Sequence, residues 1–140
     1  MQSFLLSQDR KTGVSILFTV KALDAGNIIL QRDFPVQKED RADTLLARLF
    51  KASGPMLLQA LKILQDKDFT GSPQDPKQVS SCTKISKEMG LIHWQDSARK
   101  IYSSYQAFSS WPGVFTFHHD KRILITELCY LQTEEQLLRN

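Results

Sequence analysis

Residues 12–34, TGVSILFTVKALDAGNIILQRDF, constrain the fold more than any other stretch of this chain. An apolar, β-branched run over residues 14–20 passes through Lys21-Ala22-Leu23-Asp24-Ala25-Gly26 into a second apolar run, residues 28–30. The first run suits a strand buried on both faces, and the second a strand that follows a tight turn. Asp24 then falls at the C-terminal end of the first strand. Ligands of open α/β sheets bind outside the carboxyl ends of the strands, so the position makes Asp24 a candidate active-site carboxylate. Asp and Gly also suit a plain turn between two strands, with no chemistry attached.

The rest of the chain reads in order from this unit. Residues 1–8 place Phe4 and Leu5 near one helical face. Pro35 ends the second strand, because proline cannot donate to a central ladder. Asp40 or Asp43 then caps a helix whose apolar face is Leu45, Leu46, Leu49 and Phe50. Ser53-Gly54-Pro55 stops it and starts another, on which Met56, Leu57, Ala60, Leu61 and Leu64 form a stripe. Residues 66–81, with Gly71, Pro73 and Pro76 and no period, mark a linker or long loop. Beyond it, residues 83–85 suggest a short strand and residues 88–94 a turn into a second. Asp96-Ser97 caps a helix carrying Ala98, Ile101, Tyr102, Tyr105 and Phe108, and Trp111-Pro112-Gly113 breaks it. Residues 114–117, the turn 118–121 and residues 122–131 read as a β-hairpin.

Chemical signals outside the Asp24 turn are sparse. His118 and His119 are adjacent, so in a strand they point to opposite faces, and no cysteine or carboxylate supplies zinc-site spacing around them. No metal is expected. Nucleophile-elbow, P-loop and dinucleotide glycine patterns are missing from the sequence. Cys82 and Cys129 stand alone and fit reduced thiols. No run approaches the ~18 apolar residues of a membrane span, and residues 1–10 lack a signal peptide's layout. A net charge of +3 permits a nucleic-acid partner without arguing for one. Lys84, Lys87, Arg99, Lys100, Lys121 and Arg122, with Tyr102, Tyr105, Phe108 and Trp111 between them, give either an RNA-binding face or an ordinary solvated surface over a core.

Thr12-Gly13-Val14-Ser15 followed by Leu23-Asp24-Ala25-Gly26 resembles the formyltransferase family that uses 10-formyltetrahydrofolate, whose pattern there is TGV[ST] and Leu-Asp-Thr/Ala-Gly. Ser86-Lys87-Glu88, Ile92-x-Trp94, Ser97-Ala98 and Ala107-Phe108-x-x-Trp111-Pro112-Gly113 resemble the C-terminal domain of those members that act on methionyl-tRNA. Met1-Gln2 and Asp9 are similar to the segment that precedes these motifs, so the resemblance covers roughly residues 1–131.

The resemblance implies an α/β fold. Residues 1–66 would be the C-terminal part of a Rossmann-like formyltransferase domain, a strand-turn-strand plus two helices. Residues 67–82 would be a linker. Residues 83–140 would form a partial, oligonucleotide-binding-like β-barrel that helps hold tRNA. The reaction implied is formyl transfer from 10-formyltetrahydrofolate to the amino group of initiator methionyl-tRNA. Asp24 matches the family's catalytic Asp, a buried carboxylate that orients a histidine and handles proton transfer. The backbone of Lys21, Ala22, Leu23, Ala25 and Gly26 corresponds to the folate-lining loop, and Lys84, Lys87, Arg99, Lys121 and Arg122 are the residues expected to meet tRNA. The family reading is a monomer, cytoplasmic in a bacterium and mitochondrial or plastid in a eukaryote.

Departures from the family pattern shape the expectation. The family's Asn-x-His motif precedes the Asp, whereas the first asparagine here is Asn27. The chain therefore reads as a carboxy-proximal piece, inactive by itself. His93 stands where the family has Asp, and Gln106 where a basic residue is common. The alternative is a non-catalytic tRNA- or RNA-binding module. A third reading, formylation of a nucleotide sugar or of glycinamide ribonucleotide, is disfavoured for the latter by the second domain.

Overall fold

The computed structural model describes residues 1–9 and 11–131, and they fall into two compact units. One comprises residues 9–83 and the other joins residues 1–8 to residues 84 onward. In chain order the elements are α1 (Gln2–Ser7), β1 (Lys11–Leu17), β2 (Ile28–Pro35), α2 (Ala42–Ile63), α3 (Ala98–Phe108), β3 (Val114–His118) and β4 (Lys121–Ile125). Short 3-10 turns occupy Pro76–Gln78 and Lys87–Gly90. The α/β class holds, as two small antiparallel sheets with helices.

In the first unit β1 and β2 pair antiparallel, Lys11 opposite Pro35 and Ile16 opposite Leu30, with an irregularity before Leu17. Along β1 exposure alternates: Lys11, Gly13 and Ser15 face solvent, while Thr12, Val14 and Ile16 are half-buried. This corrects the expectation of a strand buried on both faces over residues 14–20. A continuous apolar run cannot say how many layers will cover it, and here one layer does.

That layer is α2. It packs on both strands and runs unbroken for 22 residues, with Pro55 inside it, where two helices were expected. Proline in a helix costs about 3 kcal/mol, partly through the hydrogen bond lost to the carbonyl four residues back. Lys51 and Pro55 both lie on the exposed side, where water can serve that carbonyl. Meanwhile Leu45, Leu49, Met56 and Ala60 are buried in one phase across the proline. At about 2 kcal/mol for each fully buried Leu or Met, that stripe outweighs the break. The expected faces were half right, since Leu46, Phe50, Leu57 and Leu61 form a second stripe that is exposed.

Asp40 does not cap α2. Its buried carboxylate accepts the Gln37 amide at 2.7 Å and pairs with Arg48, whose guanidinium also donates twice to the Pro35 carbonyl at 3.0 Å. The first turn of α2 is closed instead by Asp43 and Thr44: the Arg41 amide donates to Thr44 Oγ1 and the Thr44 amide to Asp43 Oδ1, both at 2.9 Å. Residues 69–74, part of the expected linker, return to the hairpin. Ile28 and Ser72 exchange two backbone hydrogen bonds, of 2.7 and 2.9 Å.

In the second unit α1 packs on α3, and the core gathers Leu5, Ile92, Tyr105, Ala107, Phe108, Val114 and Phe115. Ser97 caps α3 as expected, its hydroxyl accepting the Lys100 amide at 3.3 Å. The hairpin β3–β4 also forms as expected, Val114 opposite Ile125 and His118 opposite Lys121. His119 and Asp120 both take positive φ, 46° and 60°, the geometry of a type I′ turn. β4 ends at Ile125, short of the expected Leu131. No strand forms at residues 83–85. The segment after them is the 3-10 turn, followed by one parallel bridge between Leu91 and Phe115. Among the described residues the sheet of this unit is β3–β4 alone. No helix among them is long and apolar enough to cross a membrane.

Two substitutions test this packing. Beyond its chain neighbours and the nearby backbone of α2 itself, no atom lies within 4 Å of a Cβ built on Gly54, so Gly54→Ala should raise unfolding stability by about 1 kcal/mol in urea denaturation. Were Gly54 a helix stop, the same change would destabilise. Asp40→Ala leaves Arg48 without its buried partner and should cost about 3 kcal/mol by the same measurement.

Candidate functional site

The turn that carries Asp24 is set by close backbone approach at its base. The Phe18 amide donates to the Asn27 carbonyl at 2.9 Å, and Gly26 lies buried against Phe18. A Cβ on Gly26 would sit 1.7 Å from the Phe18 carbonyl oxygen, so no side chain fits there. Between these points residues 21–25 are all exposed, Leu23 to 90%. Asp24 takes φ +51°, a left-handed conformation that Asp and Asn tolerate better than bulkier residues.

The sequence places Asp24 correctly on a turn beyond the first strand, but the expected burial is corrected. Its carboxylate is exposed, with no hydrogen bond or ion pair among the described residues. The three histidines of the chain, His93, His118 and His119, all belong to the other unit. The side chain is thus open to solvent, and its direction is set by the backbone alone. That backbone is held from a place the sequence did not signal. Gln74 Nε2 donates to the Asp24 carbonyl at 2.7 Å and to the Gly26 carbonyl at 2.8 Å. A glutamine in an aperiodic stretch has no local pattern that betrays such a role.

The five expected tRNA-facing cations are all exposed in the second unit. Lys84 precedes the 3-10 turn, Lys87 opens it, and Arg99 lies in the first turn of α3. Lys121 and Arg122 start β4, opposite His118 and Phe117, and the Arg122 guanidinium lies 4.0 Å from the centre of the Phe115 ring. Lys100, by contrast, pairs with Asp96 at 2.8 Å. A cavity of about 250 Å³, lined by Leu6, Met89, Ile92, Ile101 and Phe108 among others, lies in the same unit and holds none of the five but borders Glu88 and His93. Glu88 titrates below the usual carboxylate range because the Ser86 side chain hydrogen-bonds to it. No group of three or more His, Cys, Asp or Glu side chains able to hold a metal occurs among the described residues.

Comparison with known proteins bears on both units. The family model described as Formyl transferase matches residues 1–61, and that described as Formyl transferase, C-terminal domain, matches residues 84–137. The methionyl-tRNA formyltransferase of Listeria monocytogenes serotype 4a is 34% identical over 131 residues, which are 94% of this chain and 42% of that protein. The chain belongs to the formyl transferase family. It spans less than half the length of the curated relatives it matches. Solved structures are similar in fold too. HypX from Aquifex aeolicus, in complex with tetrahydrofolic acid, superposes on 90% of this chain and 22% of its own, with TM-score 0.74 and 23% identity. Methionyl-tRNA formyltransferase from Clostridium thermocellum superposes on 93% of this chain and 56% of its own, with TM-score 0.67 and 14% identity.

For this formyl transferase chain the contact at Gly26 gives a direct test. Gly26→Ala must push the turn away from Phe18 and should cost about 3 kcal/mol in urea denaturation. An unchanged midpoint would mean that the turn does not approach Phe18.

Proposed function

We propose that this chain supplies part of the machinery that moves a formyl group from 10-formyltetrahydrofolate, as substrate, to the amino group of initiator methionyl-tRNA. The observation that carries the reading is the order of the two formyl transferase matches, with Asp24 on a built turn inside the first. In this reading the amine attacks the formyl carbon and loses a proton as the tetrahedral intermediate forms. The intermediate then collapses by breaking the bond from the formyl carbon to the folate N10, which takes up a proton and leaves as tetrahydrofolate. Asp24 handles the proton lost by the amine, directly or through a histidine it orients. The backbone of Lys21, Ala22, Leu23, Ala25 and Gly26 lines the folate, which suits a turn whose residues 21–25 are exposed and whose side chains, Lys21 and Leu23 apart, are small. Lys84, Lys87, Arg99, Lys121 and Arg122 meet the tRNA as a salt-sensitive phosphate surface. In the same reading the second unit is part of an oligonucleotide-binding barrel, and the working form is a monomer.

The sequence contains no Asn-x-His motif, and catalytic groups that act as a unit are not divisible. The purified 140 residues are therefore expected to give no measurable formylation of methionyl-tRNA. Coexpression with the amino-terminal portion of a methionyl-tRNA formyltransferase, which carries that motif, should restore it. Asp24→Asn should then lower the restored rate by about 100-fold or more. Formylation by the chain alone would remove the need for the motif. Unchanged turnover in Asp24→Asn would remove Asp24 from the chemistry. If the chain bound tRNA in a salt-dependent way yet never supported formylation, the RNA-binding module would be the better reading.

A further inference from the structure

We infer that Gln74 is the positioning residue for the Asp24 turn, an inference that rests on the formyl-transfer reading for its functional consequence but not for its geometry. The side chain of Gln74 is the keystone between two peptide groups. One amide nitrogen reaches both the Asp24 and the Gly26 carbonyl oxygens, at 2.7 and 2.8 Å. Both partners are acceptors, so the NH2 end of the amide must face them, and each of its two hydrogens has a use. Two carbonyls separated by one residue converge on one donor only when the chain curls around it. Gln74 therefore fixes the curl that Asp24 adopts at φ +51°.

Gln74 is itself delivered by a ladder of ties. Asn27 Nδ2 donates to the Thr70 carbonyl at 2.9 Å, and Ile28 and Ser72 exchange backbone hydrogen bonds two residues further on. Residues 70–74 thus follow the start of β2 back toward the turn, and the glutamine is the last rung. Its own cap is independent, since Asp75 turns the chain away by accepting the Lys77 amide at 2.9 Å.

The consequence falls on the aim of a carboxylate. Asp24 has no side-chain partner among the described residues, so the direction of its Cα–Cβ bond comes from the backbone, and the backbone from Gln74. Displacing a reacting group by about 1 Å is enough to cost about 100-fold in rate. Leucine offers no donor, asparagine is one methylene too short, and an ionised glutamate would set a negative charge against two carbonyl oxygens.

The glutamate variant makes the inference testable. In Gln74→Glu the carboxylate meets two acceptors and gains nothing, whereas the protonated acid regains one O–H donor. Its folded-state pKa is therefore raised above the ordinary value of about 4.3, and the brace should return as pH falls through that raised value. Backbone order parameters of Asp24 and Ala25, measured by nitrogen-15 relaxation on the 140-residue chain, are the readout. The wild type should give about 0.85 at pH 7 and pH 4. Gln74→Leu should fall below about 0.6 at both, and Gln74→Glu should fall at pH 7 and recover at pH 4. Unchanged α2 resonances would show that the variants keep their fold. Equal order parameters in wild type and Gln74→Leu, or a Gln74→Glu variant that stays rigid at pH 7, would overturn the inference.

The coexpressed formylation system separates this from the broader reading. There Gln74→Leu should lower kcat at least tenfold, with KM for methionyl-tRNA unchanged. If the wild type never formylates, the formyl-transfer reading fails while the order parameters still decide the brace. Should the wild type formylate and Gln74→Leu match it in kcat, the brace has no part in positioning the reaction.

Discussion

A two-stranded sheet has too little face to be stable in water, and everything in the first unit follows from how that deficit is met. The helix laid on it, α2, buries Leu45, Leu49, Met56 and Ala60 against one side of β1 and β2. This explains why the helix runs through Pro55, since breaking there would rotate Met56 and Ala60 out of the phase set by Leu45 and Leu49. It also explains the Arg48 fork. Held by Asp40 and the Pro35 carbonyl, Arg48 ties the first turns of the helix to the end of β2 and so fixes where the stripe lands.

The Asp24 turn sits at the other end of the same hairpin and is stabilised by different means. Little apolar area is buried there, so its shape depends on backbone hydrogen bonds and on the absence of a side chain at Gly26. Such a segment can be open to a large ligand and still hold one conformation. The second unit shows a related division. Its core includes Phe108, Val114 and Phe115, all buried, while the cations that start β4 stay exposed, Arg122 lying over the Phe115 ring.

Much of this was legible in the residues themselves. The turn at Asp24, the Ser97 cap of α3, the hairpin turn at residues 118–121 and the end of β2 at Pro35 are all local matters. They are decided by the stereochemistry and hydrogen-bonding reach of a few adjacent residues, which the sequence states outright. The order of the family motifs across both units belongs with them, because order along the chain needs no packing to be read.

Other features were decided only when distant segments met. Whether residues 14–20 would be covered on one face or two, and which of two apolar stripes on α2 would be buried, depended on how many layers were present. Whether Gly54-Pro55 would stop a helix depended on burial on both sides of it, a tertiary gain larger than a local cost. The exposure of Asp24 and the grip of Gln74 on its turn join residues fifty positions apart. A local pattern reports what each segment prefers in isolation. Burial and long-range hydrogen bonds belong to pairs of segments, and only the folded chain brings those pairs together.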